Sequence, residues 1–160
     1  LDKKIKSYTM NYNFLIIALI CAFSFKANSQ SEEYKIDRVM DEYFDVLKEE
    51  GYAPSYDEDK DIKFKIEGSL YYIIRPSYDY HINLSKYYSH EDGCDLKTLN
   101  AVNYASRSTR YAKAYLTPNC DRVVIKSALY NNGASVEEIV NQAIAAVKYC
   151  SNKFREKYNE

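Results

Sequence analysis

The chain has no tryptophan, only four glycines and only two histidines. Each scarcity excludes a class of chemistry. With so few glycines there is no loop rich enough to cradle a phosphate on backbone N–H groups, and no Gly-x-Ser-x-Gly nucleophile turn. His81 and His90 have no partner at the spacing of a triad or a metal site, and His-Glu-x-x-His does not occur. No Cys-x-x-Cys pair is present, so three cysteines completed by His90 do not match structural zinc. Asp57, Asp59 and Asp61 resemble the start of a calcium loop, but Ile62 and Gly68 stand where that loop needs its glycine and its last glutamate. The triplet reads instead as a solvated acidic turn. No metal, cofactor or catalytic residue is expected, and the chain is read as non-enzymatic.

Long apolar stretches are also missing, with one exception. Lys3, Lys4 and Lys6 precede a run from Phe14 to Phe25, and Ala27-Asn28-Ser29 then offers small residues where a signal peptidase reads. The run is about 12 residues, against the roughly 20 that cross a bilayer, so residues 1–29 are expected to be a cleaved secretory leader rather than an anchor. Ile20 is too large for the position before a lipidated Cys21. Removing the leader takes four of the 22 basic and one of the 23 acidic residues, leaving 18 against 22, a net charge of about −4. That balance argues against nucleic acid, whose binding rests on phosphate neutralisation. A periplasmic or secreted location is expected, with residues 30–160 as a single domain.

What is present is a patterned stretch from Asp61 to Tyr88. Ile62, Phe64 and Ile66 alternate with Lys63 and Lys65, and Ile82 and Leu84 alternate with His81, Asn83 and Ser85, the period of half-buried strands. Gly68 supplies the positive φ of a tight first turn, and Pro76 sets the second. Three antiparallel strands are expected here. Ahead of them, Ile36, Val39, Met40, Tyr43, Phe44 and Leu47 recur at helical spacing, and Gly51 ends that helix. After them, Asp95 caps a helix whose Leu96, Leu99, Val102 and Ala105 or Ser106 share a face. Residues 111–116 and 122–129 then form a hairpin, and Ser135 with Glu138 opens a last helix along Val136, Val140, Ala143, Val147, Cys150 and Phe154. The result is an α+β domain with a five-stranded antiparallel sheet, ordered α-β-β-β-α-β-β-α, helices mainly on one face.

Such a sheet leaves its other face over. If Ile62, Phe64, Ile66, Ile82, Leu84, Val123 and Ile125 point inward, then Lys63, Lys65, His81, Asn83, Tyr111, Lys113, Tyr115, Val124 and Lys126 point outward. Both faces of the central strand carry bulk, with Tyr71, Ile73 and Arg75 alternating with Leu70, Tyr72 and Ile74. Tyrosine is abundant, eighteen in all and sixteen beyond the leader, and it combines apolar area with a polar tip. Half-buried strand positions absorb much of that excess. The rest suggests a binding patch of Tyr71, Tyr111 and Tyr115 with Lys63, Lys113 and Arg75. Its expected occupant is a protein partner or a second copy in a homodimer. The alternative is a small molecule or glycan stacked on the exposed tyrosines.

The order of elements, Glu-Glu-Gly-Tyr-Ala-Pro at 49–54, the run Asp-Ile-Lys-Phe-Lys-Ile-Glu-Gly-Ser-Leu-Tyr-Tyr-Ile at 61–73 and the later 96–103 helix resemble YbjN-like bacterial domains. Those domains are similar in fold to type III secretion chaperones. The resemblance implies a protein-binding α+β domain, often homodimeric and without enzymatic activity. The leader departs from that pattern, since secretion chaperones work in the cytoplasm.

Beyond the leader, Cys94, Cys120 and Cys150 remain. Helix and strand rises, about 1.5 and 3.3 Å per residue, return Cys94 to the hairpin loop that holds Cys120 and run the last helix back beside it. All three thiols are therefore expected at one end of the domain. A Cys94 to Cys120 bridge is the first pairing and Cys120 to Cys150 the second, with Cys150 otherwise a buried thiol.

Overall fold

Period-2 and helical patterning resolve into a helix over residues 34–49 (α1), strands Ser55–Tyr56 (β1), Ile62–Ile66 (β2), Ser69–Ile74 (β3) and His81–Ser89 (β4), helix Leu96–Arg107 (α2), strands Ala112–Leu116 (β5) and Arg122–Tyr130 (β6), and helix Val136–Tyr158 (α3). The computed structural model describes residues 34–76, 81–91, 93–130 and 133–160. The leader lies outside the described residues, as does most of the second turn. Ile36–Glu160 form one compact unit. No helix among the described residues is long and apolar enough to cross a membrane.

Local chemistry explains the boundaries. Gly51, at φ 85°, ends α1, with Tyr52 N–H donating to the Leu47 carbonyl at 2.9 Å. Glu67 and Gly68, at φ 50° and 77°, close the β2–β3 hairpin in the left-handed conformation that a two-residue turn between right-twisted strands requires. Asp95 accepts from Thr98 N at 2.9 Å and Ser135 from Glu138 N at 3.1 Å, which caps α2 and α3. The buried face of α2 is Thr98, Ala101, Val102 and Ala105. Val102 and Ala105 are buried as expected, whereas Leu96 is exposed and Thr98 and Ala101 take the inner positions of the first turns.

The sheet has six strands rather than five, in the order β1-β2-β3-β4-β6-β5, every neighbouring pair antiparallel. The element order is thus α-β-β-β-β-α-β-β-α. The added strand is the two-residue β1, too short to show a period in sequence. Tyr56 fixes it from the side: its ring stacks on Phe44 of α1 at 5.0 Å and its hydroxyl donates to Asp41 at 2.8 Å.

One parity of every strand faces the helices. Phe64, Tyr71, Lys86, Ile125 and Ala114 run across the sheet in register, as do Ile62, Ile73, Leu84, Ser127 and Ala112. With Met40, Leu47, Val140, Ala143 and Val147 from α1 and α3, the apolar members of these rows form one continuous core. The seven residues expected to point inward are all buried. Helix α2 packs on α3 and on β5. At that edge Ser106 Oγ donates to the Ala114 carbonyl and accepts from its N–H, both at 2.8 Å, while Thr109 Oγ1 donates to the Ala112 carbonyl at 2.6 Å. The outer edge of β5 is therefore capped by side chains instead of left open.

Candidate functional site

The outer parity forms two adjacent rows. One holds Leu70, Tyr87, Val124 and Tyr115, the other Lys63, Tyr72, Ser85, Lys126 and Lys113. Tyr72 meets Tyr87 edge-on at 5.5 Å. Val124 points outward, as its parity dictates, yet is only 3% exposed. Its direct neighbours across β4 and β5 are Tyr87 and Tyr115, and two rings of that size beside a valine account for the burial. Leu70, Tyr87 and Tyr115 themselves are exposed. Burial pushes the Tyr115 phenol up in pKa, reinforced by the charge of Tyr87. The same face bears a depression of about 380 Å³ floored by Leu70, Tyr72, Ile74 and Tyr87, with Asp57, Asp61, Ser89 and Arg122 also lining it.

The six residues expected to form one patch divide among several places. Tyr115, Lys63 and the exposed Tyr111 lie on the outer side, but Lys63 and Lys113 are four strands apart, about 19 Å at the usual spacing. Lys113 bends to the helical edge, donating to the carbonyls of Ser106 at 2.8 Å and Thr109 at 3.2 Å. Arg75 pairs with Asp37 of α1. Tyr71 is 3% exposed and faces the core, in register between Phe64 and Lys86. Its burial drives the phenol up to about 12, with the Tyr88 charge adding to the effect. Tyr72, one residue on, occupies the outer position expected for Tyr71.

The acidic turn is built by Asp57, whose carboxylate accepts from the N–H groups of Asp59 at 3.1 Å and Asp61 at 2.9 Å. Asp61 in turn accepts from Arg75 N–H at 2.7 Å, and burial raises its pKa in spite of that bond.

Under the helices lies a charged group that sequence reasoning passed over. Lys86 is 3% exposed, its ammonium 5.0 Å from the ring centres of both Tyr71 and Tyr88. Arg155 of α3 donates to Tyr88 Oη at 3.3 Å. Burial opposes ionisation of Tyr88, but Ser151, Arg155 and Lys86 favour the phenolate and together lower its pKa. Glu67, bonded to Lys148 at 2.8 Å, is held below the usual carboxylate range by that lysine and further by Lys86 and Arg155.

Cys94 and Cys120 stand at disulfide distance, Cα atoms 5.3 Å apart. Cys150 does not join them. It is buried, its thiol pushed up in pKa by burial, with Thr109 and Lys113 acting in the opposite sense. Those neighbours stand just before β5 and at its start, whereas Cys120 follows its end. The expected convergence of three thiols fails because α3 crosses β4, β5 and β6 rather than running along β6 alone. His90 Nε2 is taken up by the Gly93 carbonyl at 2.7 Å and the Asp95 carboxylate at 3.0 Å.

No protein-family model matches this chain, and no curated protein does. Solved structures do. YbjN from E. coli, a candidate transcription regulator, superposes with a TM-score of 0.59 over 73% of this chain and 89% of its own, at 16% identity. The chain has a YbjN-like fold. An uncharacterized protein from Methanothermobacter thermautotrophicus gives a TM-score of 0.57 over 76% of this chain and 96% of its own, at 13% identity.

In this YbjN-like fold the residues missed in sequence are Tyr72, Tyr87 and Lys86. A signal for Lys86 existed. Counting by two from Ile82 and Leu84 lands on it, so strand parity alone puts it inside. The cationic head argued the other way, and the flanking tyrosines decide the matter by covering it.

Proposed function

We propose that this is an exported, non-enzymatic protein-binding domain that uses the outer sheet face, and that the first occupant of that face is a second copy of the chain. The observation that carries the reading is the row of large apolar side chains Leu70, Tyr87 and Tyr115 left exposed while the opposite face is sealed by helices. The polar lining supports a two-fold arrangement. Asp57 and Asp61 belong to the β1–β2 turn and Arg122 to the start of β6, so an axis through the apolar floor brings opposite charges together. Export is supported by the composition of residues 1–29 and by the cysteine pair, which suits an oxidising compartment. A role in transcription, as described for YbjN, is not carried over, because fold does not fix function.

Light scattering on the leader-free chain tests the reading. The expected result is a mass twice that of one chain, reduced to that of a monomer by Tyr87→Ser with Tyr115→Ser while circular dichroism is unchanged. A monomer at every concentration, or a double variant that still pairs, defeats it. The depression on the same face is where the glycan alternative would act, and oligosaccharide binding lost in the same variant would favour that alternative.

A further inference from the structure

Lys86 is the only side chain with a full charge among the described buried residues. No carboxylate among the described residues comes within ion-pair distance of it. Replacing a buried charge by an apolar residue of similar volume is often neutral or stabilising, so a lysine here costs stability that methionine would not. Around it the sheet and α3 gather donors. Tyr88 and Ser151 each carry a hydroxyl, Arg155 a guanidinium, and Lys86 three N–H groups. Ser151 Oγ is buried, the residue 1% exposed, and makes no hydrogen bond of ordinary geometry. Lys86, Lys148 and Arg155 bring three positive charges to this corner against the single carboxylate of Glu67, which Lys148 already occupies. The cluster is rich in donors and short of acceptors, with two positive charges in excess. Glu67 and Arg155 are exposed, so it meets solvent between the β2–β3 turn and the flank of α3.

We propose that Lys86, Tyr88, Ser151 and Arg155 form a binding site for a phosphoryl group, held between β4 and α3. A phosphoryl group carries about −1.5 to −2 charges at neutral pH and three acceptor oxygens, which matches the excess charge and adds acceptors where Tyr88 Oη is the one oxygen that Arg155 now reaches. A guanidinium such as that of Arg155 can give two parallel bonds to an oxyanion, and Lys86, 3% exposed, supplies a charge little screened by water. The site lies on the opposite side of the sheet from the proposed pairing face, so either reading stands without the other.

Calorimetric titration of the purified protein with inorganic phosphate, against chloride and acetate at matched ionic strength, is the direct test. Saturable binding of one phosphate is expected, weakened by about tenfold or more in Lys86→Met and in Arg155→Gln. Lys86→Met should melt at or above the parent temperature, and Arg155→Gln alters only an exposed position, so lost binding in either is not lost folding. Methyl phosphate in place of phosphate distinguishes a phosphomonoester ligand, which it would mimic, from the free ion. As a second readout, phosphate beside Tyr88 competes for the cations that favour its phenolate. It should therefore raise the pH at which the earliest tyrosinate absorbance appears, a transition that Tyr88→Phe removes. Heats no larger than those of chloride, or unchanged phosphate affinity in a folded Lys86→Met, would overturn the assignment.

Discussion

The two faces of the sheet are built from the same strands and share a residue type, yet tyrosine means different things on each. Inside, Tyr71 and Tyr88 are pressed against a lysine and shielded by α3, and their phenols are driven in opposite directions by burial and by cations. Outside, Tyr72 and Tyr87 meet edge to face, and Tyr87 and Tyr115 flank Val124 across the neighbouring strands. Abundance of tyrosine is therefore not one signal. Parity decides whether a ring is core or contact.

The contrast can be broken first at its centre. Leu84 is fully buried on the inner face, and Leu84→Ala should cost about 2–5 kcal/mol in denaturant unfolding. Tyr115→Ser, on the other side of the sheet, should cost well under that in the same experiment. Equal losses would mean that the outer face is as tightly packed as the inner one. A somewhat smaller effect is expected at the end of the sheet, where the cysteine pair spans 26 residues of sequence. Reducing a bridge of that span should lower stability by about 3 kcal/mol in the chain-entropy treatment, read as a shift of the unfolding midpoint on adding reductant. An unmoved midpoint would show the pair to be two thiols.

The smallest effect lies off both faces, at the cap of α2. The Asp95 carboxyl is held below its usual pKa of 3.8 by hydrogen bonds from Thr98 and further by His90. Because the folded value is the depressed one, its contribution is complete above the ordinary value and is lost as pH falls through the folded one. The gap in melting temperature between the parent and Asp95→Ala should thus be constant at neutral pH and narrow in that acid window. A gap that persists throughout it would assign the cap's effect to something other than charge.

Much of this fold was legible because local and global preferences agree. The alternation in β2, the Glu67-Gly68 turn, the β5–β6 hairpin and the Asp95 and Ser135 caps all follow from short-range rules, and the structure keeps them. The misreadings fall where a local rule has two solutions. In β3 both parities are bulky, so Tyr71 and Tyr72 were interchangeable until the register with Phe64 and Lys86 was known. In α2 the buried face takes in Thr98 and Ala101 beside the expected Val102 and Ala105, and a search for large apolar residues does not anticipate those two. The position of Cys150 depends on the angle at which α3 crosses the sheet, and no periodicity encodes an angle.

The plugged margin of β5 bears on what kind of assembly is open to the molecule. An arriving chain seeking to extend the ladder there finds the Ala112 and Ala114 carbonyls and the Ala114 amide already spoken for by Thr109 and Ser106. At the far side β1 offers only two residues of rail. Fibril growth by end-on strand addition is thereby starved at the β5 margin, where no free rail of backbone groups is left for a new strand to read.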